Sequence, residues 1–192
     1  MSRPARVTMV CTGNICRSPA MHYLARREWG DAAEVTSAGI YAEIGMDVPQ
    51  PMRRAAERHA LVIPRHRPTQ LDTRILSQAD LVLVATQQHA RWIEAEWGGV
   101  APHVFGIKEA AELAGRAQRP AGDTAAERLA NAAAALHAAR EADPAPLRSL
   151  DDPWSLDQGT YDRVMDEIVK DLAALTEWAG LGRTHESGDP ER

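Results

Sequence analysis

Two hydrophobic rhythms alternate along the chain. Val7-Thr8-Met9-Val10 is a short, partly β-branched run with neither face polar, the pattern of a central strand covered on both sides. Asp80 to Ala85 (DLVLVA) repeats it, and Glu34 to Ser37 and His103 to Phe105 supply two shorter strands. Helical spacing runs from Ser18 to about Trp29, Met52 to Ala60, His89 to Trp97 and Tyr161 to Trp178. The last places Val164, Ile168, Leu172 and Leu175 on one face. Ser18 reads as the cap of the first helix and Pro19 as its first residue. Strands alternating with helices predict an α/β fold with a parallel sheet between helical layers. Ligands in such folds sit beyond the carboxyl ends of the strands, where Cys11 falls.

One stretch does not follow this alternation. Residues 110–148 contain Thr124 to Ala142 (TAAERLANAAAALHAAREA), a strong helix former because alanine loses little entropy in a helix. It is bounded by Pro120, Gly122, Pro144 and Pro146, and reads as a helical insertion, either a projecting arm or a cover over the core. Residues 1–182 are expected to form one domain, and the polar segment 183–192 a disordered tail.

The 192 residues suffice for a full core, and the formal net charge of -5 gives no general attraction to nucleic acid or anionic lipid. No apolar run reaches the roughly 20 residues of a bilayer span. Neither nucleic acid nor membrane is expected as a partner, and the chain reads as cytoplasmic. Cys11 and Cys16 are the only cysteines. They are too few for a secreted disulfide framework and wrongly spaced for zinc, so a catalytic or redox role is expected.

The chemistry concentrates in Cys11 to Ser18 (CTGNICRS), where five residues separate Cys11 from Arg17 between a strand and a helix start. A loop folding over a helix N-terminus turns backbone N–H groups inward and makes an anion cradle. Arg17 can add two parallel charge-assisted hydrogen bonds to a phosphate. The same field favours a thiolate at Cys11, a nucleophile facing phosphorus. Gly13 suits unusual dihedrals or a close approach. The spacing alone is weak in an arginine-rich chain; the strand before it and the helix after it carry the reading.

At CTGNICRSP the sequence resembles the bacterial type of the low-molecular-weight protein-tyrosine-phosphatase family. The resemblance continues at Ser37-Ala38-Gly39, His66-Arg67 with Gln70-Leu71, ADLVLV with His89, Phe105 to Glu109, and Asp152-Pro153-Trp154 before Tyr161-Asp162. It implies a four-stranded, doubly wound parallel sheet of flavodoxin-like order. It also implies hydrolysis of protein phosphotyrosine through a cysteinyl-phosphate, with Cys11 as nucleophile, Arg17 as clamp and Asp152 as general acid. By the same resemblance Thr12, Gly13, Asn14, Ile15, Cys16 and Ser18 form the phosphate loop, and Ser18 donates to Cys11. Asn14 holds the loop's shape, backed by Ser37 and His66; Trp154 and Tyr41 stand at the slot for the aromatic ring. Cys11 and Cys16 would form a reversible disulfide on oxidation. The resemblance implies no metal, and no cofactor is expected.

Two positions depart from the family pattern: His22, where many members have Glu, and the segment Ile40 to Gly45, which puts Glu43 or Ala42 near an aromatic position, with Tyr41 close by. Two other functions compete. Phosphoarginine phosphatases share the scaffold but carry Thr where this chain has the apolar Ile15, which suits an aromatic ring better than a guanidinium. A catalytically silent phosphate-binding module would need none of the three catalytic residues present. An arsenate-reductase relay through two further cysteines is excluded by counting, whereas a reductase drawing on an external thiol is not.

Overall fold

The computed structural model describes residues 3–181; the segment expected to be a disordered tail lies outside them. Four parallel strands form one sheet in the order β2-β1-β3-β4, made of β1 (Ala5–Cys11), β2 (Ala33–Gly39), β3 (Leu81–Val84) and β4 (Val104–Gly106). The α/β expectation and the strand order hold. The central strand β1 pairs with β2 from Ala5↔Ala33 to Cys11↔Gly39, and with β3 from Val7↔Leu81 to Val10↔Val84.

The period of two along β1 sorts the core into two layers. Val7, Met9 and Cys11 face the larger cluster, built by α1 (Arg17–Trp29), α2 (Gln50–Glu57), α5 (Ile107–Ala114) and α8 (Gln158–Trp178). Val10 faces the smaller one, closed by Leu76 of α3 (Thr73–Gln78) and Ile93 of α4 (Gln87–Trp97). At its far end α1 is pinned to α8 where Trp29 Nε1 donates to Thr176 Oγ1 at 2.8 Å.

The alanine-rich stretch is two helices, α6 (Ala125–Ala130) and α7 (Ala132–Ala142), broken at Asn131, whose side chain donates to the Ala121 carbonyl at 2.9 Å. Of the two readings, arm or cover, the structure gives the cover. Leu129, Ala132 and Leu136 are buried in the main core, and burying each leucine is worth about 1.5–3 kcal/mol. Arg140 of α7 donates to the Val104 carbonyl at 2.8 Å and lies 3.8 Å over the Phe105 ring. Arg128 of α6 donates to the carbonyls of Ala179 and Gly180 just past α8. Among the described residues no helix is long and apolar enough to cross a membrane.

Candidate active site

The turn from β1 into α1 opens at the carboxyl end of the sheet. Four successive carbonyls of this turn are turned outward to donors. Those of Cys11, Thr12 and Gly13 accept from the amides of Ile40, Tyr41 and Glu43, each at 3.0 Å, and that of Asn14 accepts from His66 Nε2 at 3.0 Å. In a trans peptide the N–H points opposite the preceding C=O. The amides of Thr12, Gly13, Asn14 and Ile15 are therefore directed to the inner side of the loop, the arrangement that binds an anion.

The left-handed residue of the turn is Asn14, with φ 55°, and not Gly13, where unusual dihedrals were considered. Asparagine tolerates this region because its short polar side chain bonds locally. Here Asn14 Oδ1 accepts from the Thr69 amide at 2.9 Å and Asn14 Nδ2 donates to Ser18 Oγ at 2.9 Å. Gly13 serves close approach, since a Cβ there would lie 3.0 Å from Cγ of Glu43. Gly39, which pairs with Cys11, has the stricter need: a Cβ on it would stand 2.4 Å from the Thr12 carbonyl.

Ser18 does not cap α1. The helix starts at Arg17 with no side-chain cap, and Ser18, fully buried, points back at the nucleophile position. Its Oγ accepts from Asn14 and lies 2.9 Å from Cys11 Sγ and 3.5 Å from the Ala38 carbonyl, so its proton can serve either, and a Cys11 thiolate would take it. The donors leading to it run in one direction: Tyr23 O–H to His66 Nδ1, His66 Nε2–H to Asn14, Asn14 to Ser18. Burial, the largest influence on His66, lowers its pKa and keeps the ring in the neutral form this relay needs. Ser37, expected to back Asn14, instead bonds His22 Nδ1 at 3.2 Å. Alternation along β2 points it at α1, where His22 lies stacked on Tyr23. Burial lowers the His22 pKa to about 4.

Arg17 is 4% exposed although it is charged. Its Nη2 donates to Asp152 Oδ2 at 2.8 Å and its Nη1 to the Leu150 carbonyl at 3.3 Å, while Nε has no partner among the described residues. Asp152 is itself held from the other side, Oδ1 accepting from the Trp154 amide at 3.2 Å. One residue of the loop before α8 thus reaches the first turn of the chain.

Cys11, Thr12, Gly13, Ile15, Cys16, Arg17, Glu43, Asp152 and Trp154 line a cleft of about 100 Å³. That volume fits a phosphoryl group and falls short of the several hundred Å³ of cofactor pockets. A larger cleft of about 280 Å³ over Thr8 and Thr36 has serine and threonine hydroxyls but no cysteine in its lining. Most of the expected residues are brought together, with Asn14 and Ser18 just beneath the loop. Tyr41 is not. Its ring packs edge-on against Trp92, and its hydroxyl accepts from Trp92 Nε1 at 3.1 Å, which holds it outside the lining.

Glu43, one of the residues marked in the sequence near the aromatic position, takes the side expected for Tyr41. Two further contributors, His89 and Tyr161, had no role expected of them. His89 touches the loop: its Nδ1 accepts from the Thr86 amide, so its Nε2–H donates to Thr12 Oγ1 at 2.9 Å. Burial brings the His89 pKa down to about 4, and nearby Arg17 adds to the effect. Tyr161 bonds Cys16, and burial, followed by the charge of Cys11, pushes the Cys16 thiol up to about 12. Both cysteines are free. Among the described residues no group of three or more His, Cys, Asp or Glu side chains is placed to hold a metal.

The family model for low molecular weight phosphotyrosine protein phosphatase matches residues 6–123. The chain belongs to this family. It is 35% identical over 91 residues to the low molecular weight protein-tyrosine-phosphatase Ptp of Acinetobacter johnsonii, a match over 47% of this chain and 63% of that protein. It is 36% identical over 108 residues to a protein-arginine-phosphatase of Bacillus subtilis, covering 54% and 70% respectively. Among solved structures, a mutant of YwlE from Bacillus subtilis superposes with a TM-score of 0.68 at 23% identity, over 90% of this chain and 97% of that one. That likeness speaks to the fold. The family match ends at residue 123, so Asp152 lies beyond it and its place rests on geometry.

Proposed function

We propose that this family member hydrolyses protein phosphotyrosine in two displacements. The phosphate enters the cradle of loop amides and takes over the Arg17 fork, which frees Asp152 from its ion pair. Cys11 Sγ attacks phosphorus as the ester P–O bond breaks, and Asp152, which takes up a proton from solvent once it leaves Arg17, passes that proton to the leaving phenolate oxygen, giving a cysteinyl-phosphate and tyrosine. Asp152 then takes a proton from a water that attacks phosphorus. The S–P bond breaks and inorganic phosphate leaves.

The observation that carries this reading is the convergence of Cys11, Arg17 and Asp152 on one small cleft, with the Ser18 hydroxyl 2.9 Å from the sulfur. Ile15 and Trp154 add apolar surface for a ring at the mouth. The two free thiols agree with a cytoplasmic, reducing setting.

A second reading, phosphoarginine hydrolysis, is favoured by one feature: the Glu43 carboxylate on the cleft wall could face a guanidinium. The deciding experiment compares phosphotyrosine and phosphoarginine peptides, with Cys11→Ser and Asp152→Asn as controls. Phosphotyrosine preference, lost in Cys11→Ser and reduced about 10²- to 10⁴-fold in Asp152→Asn, is expected. Preference for phosphoarginine would reverse the assignment, and a silent wild type would leave a binding module.

A further inference from the structure

The mouth of the cleft carries a charge that the reaction does not use. The Glu43 amide donates to the Gly13 carbonyl at 3.0 Å, and its Cγ lies against Gly13, so the side chain leans on the phosphate loop. Its carboxylate has no cation or hydrogen-bond donor among the described residues. Of the other acids, Asp152 of the same cleft is paired with Arg17, and its neighbour Asp151 with Arg163 at 3.5 Å. A free carboxylate beside a site for a phosphate dianion weakens phosphate binding unless the substrate supplies a positive charge to meet it.

The apolar surface points the same way. Tyr41, Ile44 and Met46 are exposed on the segment that carries Glu43, and Leu147, Trp154 and Leu156 on the segment that carries Asp152. Six of the nine large exposed hydrophobic residues among those described thus belong to two short connections flanking one opening. Such concentration marks a contact surface, since scattered apolar residues need no explanation.

We propose that these two lips form a docking surface for the substrate polypeptide, with Glu43 selecting phosphotyrosine that has arginine or lysine next to it and an apolar residue beyond. This inference rests on the phosphotyrosine reading. It makes Glu43 a specificity-determining residue with no part in bond breaking. An acidic neighbour on the substrate meets like charge at the same point and is rejected.

The test uses two phosphotyrosine peptides with the same apolar flank, one with Arg and one with Glu beside the phosphorylated residue. Attraction in one case and repulsion in the other should give wild type about a 5- to 20-fold preference in kcat/KM for the basic peptide at low salt. Glu43→Gln should bring the ratio close to one and lower KM for a small aryl phosphate, and Glu43→Lys should invert the ratio. Ile44→Ala should raise KM for both peptides and leave their ratio alone. A ratio unchanged in Glu43→Gln overturns this proposal only. Turnover of a phosphoarginine peptide with neither phosphotyrosine peptide cleaved would overturn the phosphotyrosine reading and this proposal together.

Discussion

Replacing Asn14 tests how the loop is held. The residue is fully buried, sits at φ 55°, and joins three segments through its side chain. Asn14→Ala removes the bonds to Ser18 Oγ and to the Thr69 amide, and the weaker 3.2 Å contact with His66, whose proton still has the Asn14 carbonyl. Each bond is worth about 1 kcal/mol. An alanine held in the left-handed region adds about 1–2 kcal/mol. The sum, about 3–5 kcal/mol, is a large share of the stability of an ordinary domain, and corresponds to a fall in Tm on the order of 10 °C. Asn14→Gly loses the same bonds without the strain, and should be less destabilised by about 0.5–1 kcal/mol despite glycine's greater freedom in the unfolded chain. Urea denaturation of the three proteins measures the difference, and turnover of an aryl phosphate reports the loop, with a loss of about 10²-fold expected from misplaced amides. Alanine and glycine variants within 1 kcal/mol of wild type and fully active would refute the reasoning.

Three further outcomes follow from the same geometry. Gly39→Ala puts a Cβ 2.4 Å from the Thr12 carbonyl, backbone against backbone; a loss of about 1–3 kcal/mol with weakened phosphate binding is expected, and an undisturbed enzyme would contradict the close approach. His22 and His89 both have folded pKa values near 4, below the unfolded 6.5, chiefly through burial. The unfolded chain therefore binds more protons between those values, and stability present above pH 6.5 falls as pH drops toward 4, by up to about 1.4 kcal/mol per pH unit for each histidine. His89→Gln should remove its part of that slope in a pH series of denaturation midpoints; an identical slope would count against it. With its thiol pushed up to about 12, Cys16 stays protonated at neutral pH, so iodoacetamide should label Cys11 first. Peroxide should then oxidise Cys11 to the sulfenic acid, which Cys16 converts to a disulfide with release of water; a peptide map showing sulfinic acid at Cys11 and no disulfide would remove the protective role.

Much of this architecture could be read from residue order because the central strand and the loop after it are one local signal. A buried run, a glycine-containing turn and a proline at the helix start occupy Val7 to Pro19, and local interactions settle each. What escaped was set by contacts distant in sequence or by small caps. The short α3 has only Ile75 and Leu76 as apolar marks, and its signal was Asp72, whose side chain accepts from the Ile75 amide. The beginning of α8 at Gln158 is fixed by Asp157 rather than by the apolar periodicity that starts at Tyr161. The break at Asn131 is invisible to helix propensity, since it serves a carbonyl ten residues earlier. Within the site, the Arg17–Asp152 pair spans 135 residues and was reached through resemblance alone. Tyr41 is held outside the cleft by Trp92 of α4, 51 residues further along the chain.

Catalysis as proposed requires Cys11 to take up the phosphoryl group itself. Rapid mixing of Asp152→Asn protein with an activated aryl phosphate, quench in alkaline denaturant and peptide mass spectrometry at neutral to alkaline pH should find one phosphate on the peptide that contains Cys11. None should be found in Cys11→Ser,Asp152→Asn protein handled alike. Steady turnover by Asp152→Asn protein with no phosphate on sulfur after that quench, or with phosphate on another residue, would contradict it.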